Sequence, residues 1–488
     1  MSAPRGRSHA GAWQRLLGGL AAAAVAALAG CAGAPTRSLY GPVADVPADV
    51  SAPSPRSLSA VYASENGRVA TVDRVWRLVA DRFYDPQLRG VDWSAAGQRA
   101  RLQAADAMSD AELYRALKQM VASLGDSHTG VLTPREVVDR RAYAGARVGL
   151  FLTVADNRVV LRDVEPDSPA AQAGLRRGDM IAAANGVALD AEFVRQAQTE
   201  PAGAAEPGGA DVQPMLPADA QDAARGRVLR AVRRVLRPNE ALQPLVLDIV
   251  RDPAAPAQRV TLTPTTRVQT PIVEHRWLDN KVLVIRFTRF APEVRAGLAR
   301  ALEDAQEARA IVVDLRGNGG GQVAMFQWFA GHFVAESREA FRLLRRDAPG
   351  GRAQIATPLR ITAREPYLRQ PLAVLIDNAS GSAAELTALA LAEARGALLV
   401  GEPSCGCATS VRTEYVLPDH GGLRIAEDGF VSMRGLRLEG EPLVPGVRVT
   451  PSLAELRSGR DVVLDAAVRS LLRPRSAERI PGAAARLS

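Results

Sequence analysis

Lysine is almost missing from this chain: of 61 basic residues only Lys118 and Lys281 are lysines, so almost every fixed positive charge is an arginine. Aromatic residues make up only 5%. The arginines are scattered rather than striped, and with so few rings to stack bases the pattern argues against nucleic-acid binding. No apolar run is long enough for an ordinary membrane-spanning helix, since Leu16 to Ala27 falls short of the roughly 20 residues a bilayer needs. What remains is ample: 488 residues, 47% apolar and 23% charged, enough to bury a large core and to divide into two or three domains. A net charge of +8 and a pI near 9.9 permit contact with anionic lipid or cell wall.

The first thirty residues read as an address rather than structure. Arg5, Arg7 and Arg15 precede the apolar stretch, which ends in Leu28-Ala29-Gly30-Cys31. This resembles the bacterial lipoprotein signal, with lipidation on Cys31, and Ala32 after it fits outer-membrane sorting. The expectation is a lipid-anchored protein of the bacterial cell envelope, on the outer membrane facing the periplasm. Residues 31–65 carry Pro, Ala and Ser without a period and read as a tether. Lipidation leaves Cys405 and Cys407. Free thiols in an oxidising compartment tend to pair, while a Cys-x-Cys bridge closes a very small ring, so their state stays open.

Val72, Val75, Trp76, Val79 and Phe83 recur at helical spacing, and Ser109 with Glu112 marks the cap of a further helix ending near Gly125. An N-terminal helical segment over 66–140 follows, with Asp126-Ser127-His128-Thr129 on a loop. From 145 to 268 the texture turns to short β-prone runs. The segment Ser168-Pro169-Ala170-Ala171-Gln172-Ala173-Gly174-Leu175-Arg176-Arg177-Gly178-Asp179, with the Asn185-Gly186 hairpin signal, closely resembles the PDZ domains of bacterial proteases. Gly149, Leu150 and Phe151 stand where such domains bind a peptide carboxylate. An Ala/Pro/Gly-rich stretch, 199–224, reads as an insertion before a helical run at Val228 to Val235. Over 270–470, apolar runs of strand length (Val282 to Phe287, Ala310 to Asp314, Leu372 to Ile376, Ala397 to Val400) alternate with helical stretches at 292–307, 322–334 and 383–394. The class is α/β, with a tail from 471 to 488.

Two turns could carry chemistry. Ile311-Val312-Val313-Asp314-Leu315-Arg316-Gly317-Asn318-Gly319-Gly320-Gly321 ends a buried strand in glycines that let backbone N–H groups approach a ligand. A P-loop is ruled out because Lys-Ser/Thr is missing, which leaves an oxyanion as the better guest. In Asp377-Asn378-Ala379-Ser380-Gly381-Ser382-Ala383-Ala384-Glu385 a strand turns into a helix. Ser382 with Glu385 taken alone reads as a plain capping box, and its placement beside the glycine-rich turn makes Ser382 a nucleophile with the Ala383 N–H as oxyanion donor.

Taken together with Phe83-Tyr84-Asp85, Leu124 to Thr129, the PDZ segment and Gly401-Glu402-Pro403, these motifs fall in the order found in carboxyl-terminal-processing and tail-specific proteases and the tricorn core protease. The resemblance spans about 70–455. It implies a crotonase-like layered core, hydrolysis of protein or peptide substrates, and neither metal nor cofactor. In the carboxyl-terminal-processing branch a lysine follows Gly-Glu-x-x-x-Gly as the base; here that position is Cys407, and no lysine follows Ser382. A Ser-Lys dyad is excluded. Of the five histidines, His9 is in the leader and His275, His332 and His420 match no motif, whereas His128 matches the tricorn branch's catalytic histidine. The same branch implies an orienting glutamate before Gly-Val-x-Pro, which is Glu439 or its rival Glu441. The expected constellation is Ser382, His128 and Glu439, with Gly320 and Ala383 at the oxyanion. The competing readings are an inert PDZ peptide-binding lipoprotein and a redox or nucleophilic role for Cys405 or Cys407.

Overall fold

The computed structural model describes residues 57–141, 144–199, 220–236, 243–252, 254–268 and 271–473. The leader with Cys31, the tether up to residue 56, most of the expected insertion and the tail from 474 lie outside them.

Three helices open the described chain: α1 (Glu65–Arg82), α2 (Trp93–Ala105) and α3 (Asp110–Ala122). Val72, Val75 and Val79 are fully buried along one face of α1, as their spacing requires. Ser64 and Ser109 accept first-turn N–H groups and set where α1 and α3 begin. α3 stops three residues short of Gly125, whose φ of 62° turns the chain into the His128 loop. The short strand β1 (Gly130–Leu132) follows.

The next module has a five-strand ladder, β2 (Leu150–Ala155), β3 (Arg158–Val164), β4 (Met180–Ala184), β5 (Leu245–Val250) and β6 (Gln258–Leu262), ordered β2-β3-β4-β5-β6 with β2 at the edge. Asn185 and Gly186 both take positive φ and close the expected hairpin, Ala184 facing Val187. The helix α4 (Ala220–Leu236) lays Val228, Leu229 and Val232 into this module's core. It begins at Ala220, inside the stretch expected to be an insertion, because its amphipathic face finds that sheet to cover.

The catalytic half is a layered α/β unit. Its elements are β7 (Val273–Leu278), β8 (Val282–Phe287), α5 (Arg295–Asp304), β9 (Ala310–Asp314), α6 (Val323–Gly331), β10 (Arg338–Arg346), β11 (Gln354–Ile361), β12 (Leu372–Ile376), α7 (Ala383–Arg395), β13 (Leu398–Gly401), β14 (Thr409–Val416), β15 (Gly422–Ser432), β16 (Val447–Arg448) and α8 (Val462–Leu472). The main sheet runs β7-β8-β9-β12-β13-β16, parallel from β8 onward. Every residue of β9 and β12 is buried, the signature of strands covered on both faces. Leu298, Phe326 and Leu389 from α5, α6 and α7 cover one face, and Val463, Leu464 and Ala467 of α8 the other.

A second sheet, β1-β15-β10-β11 with β14 on β15, had no counterpart among the sequence expectations. Its outer strands β11 and β14 are largely exposed or half-exposed, and polar residues interrupt every strand of it but the short β1, including the mostly buried β15, so no sustained apolar run announces them. It positions the site, since β1 pairs antiparallel with β15, Gly130 opposite Arg424. That pairing attaches the loop before it, with His128, to the catalytic half some 300 residues later in sequence.

Candidate active site

β9 ends in Asp314, and the glycine turn after it is fastened at several points. Arg316 lies between Asp314 (2.7 Å) and Asp461 (2.8 Å). The Gly317 N–H donates to Asp377 Oδ1 at 3.0 Å, and the Ser380 hydroxyl to the Leu315 carbonyl at 2.8 Å. Fully buried Asn318 donates through Nδ2 to the Phe287 carbonyl (2.9 Å), and its own carbonyl accepts the Gly381 N–H (3.0 Å). A Cβ on Gly320 would stand 2.7 Å from Ser382 Cβ and 2.8 Å from the Ala383 nitrogen, so only glycine lets the two turns meet.

The expected oxyanion pair is thus side by side, with one correction. The Gly320 N–H is occupied, donating to Asn318 Oδ1 at 2.9 Å. Ala383 opens α7, where an N–H has no intrahelical acceptor.

Ser382 sits at a capping box but departs from an ordinary cap in its backbone. An N-cap residue ordinarily sits in the β region, as Ser64 and Ser109 do. Ser382 has φ 53° and ψ −120°, a conformation that costs a side-chain-bearing residue about 1–3 kcal/mol. Such strain at a strand-to-helix turn is the signature of an exposed nucleophile. Glu385 does reach back, accepting the Ser382 N–H at 2.9 Å as in a capping box. The same fully buried carboxyl also accepts Ser404 Oγ (2.5 Å), the Gly406 N–H (2.7 Å) and the Cys407 N–H (3.1 Å). Burial pushes it up to about 7 against the pull of those donors.

Cys405 and Cys407 form a disulfide, with Cα atoms 5.3 Å apart. The bridge lies against the nucleophile turn: a Cβ on Gly381 would meet Cys407 Sγ at 3.0 Å and Cys405 Sγ at 3.8 Å. The Cys407 carbonyl accepts the Ser382 N–H at 3.0 Å, and the Gly406 carbonyl accepts the Gly440 N–H at 2.8 Å. Neither sulfur is a free thiol, which removes the nucleophilic reading of either cysteine in this state.

The His128 loop is shaped by Asp126, whose Oδ1 accepts the N–H groups of His128 (3.0 Å) and Thr129 (2.7 Å). Thr129 Oγ1 in turn accepts the Ala426 N–H of β15 at 3.0 Å. Glu439 does not touch the imidazole. It accepts Ser127 twice, from N–H at 2.7 Å and from Oγ at 2.8 Å, and Ser127 Oγ lies 2.7 Å from His128 Nδ1. Ser127 has a single hydroxyl proton, and giving it to Glu439 leaves Oγ to accept Nδ1–H. His128 is then the tautomer with a bare Nε2. The expectation that Glu439 orients His128 holds only through this hydroxyl, which sequence reasoning missed although Ser127 stands next to the histidine. Glu441 is exposed. Glu439 also faces Arg89 at 3.8 Å, whose Nη1 donates to the Gly125 carbonyl at 3.1 Å. Burial drives the imidazole well below its usual range, outweighing Asp126, whereas burial and then Asp126 push Glu439 far above the usual carboxylate range.

His275 pairs with Asp304 at the surface, and His332 is buried on the Pro366 carbonyl. Both serve structure. Gly149 takes φ 83° and passes the chain into β2, whose edge faces no other strand among the described residues. Phe151 lines a cleft between the β-rich module and the core, beside Arg162, Arg316 and Asp377. Arg162 pairs with Asp377. Among the described residues no group of three or more His, Cys, Asp or Glu is placed to hold a metal.

Fold and site define a serine-type peptidase carrying a peptide-binding PDZ module. Residues 281–449 match the model of peptidase family S41, 160–198 a PDZ domain and 73–122 the tricorn protease C1 domain. The chain is 25% identical over 408 residues to carboxyl-terminal-processing peptidase 3 of Arabidopsis thaliana chloroplasts, covering 79% of this chain and 70% of the relative. It is also 25% identical over 379 residues to the carboxy-terminal-processing protease of Bartonella bacilliformis, covering 75% and 76%. Among solved structures, the photosystem II D1 C-terminal processing protease aligns over 83% of this chain and 97% of its own (TM-score 0.50, 19% identity), and mature CPAF over 83% and 96% (TM-score 0.59, 12% identity). These matches together support a carboxyl-terminal-processing type of serine peptidase.

Proposed function

We propose that this peptidase works through Ser382, His128 and Glu439, with Ser127 joining the last two. Ser382 Oγ attacks the scissile carbonyl while His128 Nε2 takes its proton. The Nδ1–H of the imidazolium stays on Ser127 Oγ, and Glu439 steadies the charge through the Ser127 hydroxyl. The Ala383 N–H and the backbone of the glycine turn face the oxyanion. Proton return to the leaving amine and water attack on the acyl-enzyme complete hydrolysis. What supports this reading is the hydrogen-bonded run from His128 through Ser127 to Glu439, whose neighbour Gly440 donates to Gly406 in the 404–407 turn that holds the Ser382 N–H.

Glu439→Gln is the direct test of the third member. A glutamine amide would donate to Ser127 Oγ, the Ser127 proton would turn to His128 Nδ1, and Nε2 would carry the hydrogen. The wrong tautomer costs about 10⁴-fold in kcat in a serine triad, and a comparable loss is expected here, with Glu441→Gln near wild type. Equal effects of the two substitutions in steady-state peptide hydrolysis would refute the assignment. The raised Glu439 also sets a pH sign: the carboxyl is neutral below its pKa and charged above, and only the charged form supports the imidazolium. Activity therefore climbs with pH through a limb above the ordinary glutamate value, about 4.3, and Glu439→Gln removes that limb.

Exported polypeptides with accessible C-termini are the proposed substrates, held by the PDZ module through Gly149, Leu150 and Phe151 and the open edge of β2. The leader supports anchoring by a lipid on Cys31 in the bacterial envelope, on the outer membrane facing the periplasm. Cys31→Ser is expected to move the protein from the membrane to the soluble fraction and to abolish incorporation of labelled palmitate; unchanged fractionation would contradict it.

A further inference from the structure

The position that carries the family's lysine is here one end of a disulfide, and the bridge touches both halves of the hydrolytic site. An extended tripeptide spans about 6.7 Å between its end Cα atoms, whereas Cys405 and Cys407 are held at 5.3 Å. Gly406 between them takes φ 68°, and a Cβ there would lie 2.9 Å from the Pro442 nitrogen, so the turn is both kinked and pressed against the segment after Glu439. On one side, Cys407 offers its carbonyl to the Ser382 N–H and its sulfur packs on Gly381. On the other, Gly406 offers its carbonyl to Gly440, next to the glutamate that holds Ser127. Glu385 fixes the middle, accepting the Gly406, Cys407 and Ser382 N–H groups together. Both cysteines are half-buried, within reach of a small reductant.

We propose that the Cys405–Cys407 disulfide is a redox-sensitive positioning element whose opening loosens the nucleophile turn and the Glu439 segment together. The proposal rests on the Ser382, His128 and Glu439 reading for what the loosened groups do. In the reductive step a dithiol gives two electrons and two protons, the Sγ–Sγ bond breaks into two thiols, and the dithiol closes to its own disulfide. The freed turn is centred on a glycine, whose backbone has the widest choice of conformations, so the Glu385 contacts alone must hold it. A displacement of about 1 Å at reacting groups can cost about a hundredfold in rate. The β2 edge of the PDZ module belongs to a different sheet from the elements that flank the bridge, so peptide affinity of that module is expected to stay unchanged.

The test uses the exported chain with and without dithiothreitol. Besides Cys31 it has no other cysteine, so reduction is specific to this bond. On reduction, kcat is expected to fall about a hundredfold with KM little changed, and reoxidation to restore it. Cys405→Ser/Cys407→Ser should be equally slow and blind to dithiothreitol. Amide hydrogen exchange should quicken in both 380–385 and 436–442 on reduction, with far-UV circular dichroism unchanged. Unaltered kcat in the reduced protein, a fully active double variant, or exchange unchanged in either segment would each overturn the proposal. If the oxidised protein neither hydrolyses peptides nor labels at Ser382, the functional reading fails, while hydrogen exchange still decides whether the bridge positions the two segments.

Discussion

Ser382→Ala is expected to lower kcat for peptide hydrolysis by about a millionfold, the cost of removing the serine from a serine-protease triad. It is also expected to abolish labelling by a fluorophosphonate, because among the described residues no other hydroxyl sits at a strained strand-to-helix turn beside a glycine loop and a free first-turn N–H. The fold should survive. What Ser382 gives the architecture is its N–H, shared between Glu385 and the Cys407 carbonyl, and alanine keeps that group. Alanine pays the same penalty at φ 53° as serine, so no strain is added. Melting temperature and PDZ peptide affinity should therefore stay close to wild type. Retained labelling in this variant would place the nucleophile elsewhere, and absence of labelling in the wild type would restore the inert peptide binder.

His128→Ala should cost nearly as much, because the members of such a unit fail together rather than additively. In a lysine-dependent relative a histidine could be lost without touching the base. Here Cys407 is bonded to Cys405, and the two lysines, Lys118 and Lys281, are engaged elsewhere: Lys118 pairs with Glu136, and Lys281 turns the β7–β8 hairpin at φ 55°. No amine is available to replace the imidazole. Burial keeps His128 neutral at and below the pH where a free imidazole titrates, about 6.5, so the base stays competent as acid is added and the loss of rate at low pH reports Glu439 instead. A profile of kcat/KM whose acid limb persists in Glu439→Gln would assign that limb to the histidine and contradict this order of ionisation. Full activity in His128→Ala would exclude the mechanism altogether.

Asp314, Arg316 and Asp377 are not part of the chemistry, yet they explain why two loops sixty residues apart share one geometry. Asp377 Oδ1 takes the Gly317 N–H while the adjacent Asp377–Ser380 turn grips the Leu315 carbonyl. Arg162 from the PDZ module pairs with the same Asp377, and Arg225 bridges the Val154 carbonyl to Thr450 and Glu402. The module is thereby docked on the strand end that leads into the nucleophile.

Local chemistry alone determined much of this protein. The runs Val282 to Phe287, Ala310 to Asp314 and Leu372 to Ile376 became strands with the expected bounds, because a short, mostly apolar run between turns has little alternative to a doubly covered strand. The scarcity of lysine excluded an amine base, and the Gly381-Ser382 turn offered a cap on its own and a nucleophile beside the glycine-rich turn. Tertiary structure adds to both readings a backbone angle at Ser382 that no composition encodes. It also decided the second sheet, whose half-exposed strands gain stability only from cross-strand partners far along the chain. From that pairing and the packing of the 436–442 segment come the place of His128 and the insertion of Ser127 between its imidazole and Glu439. Each is a matter of which groups meet across hundreds of residues, and side-chain spacing along a chain carries no such information.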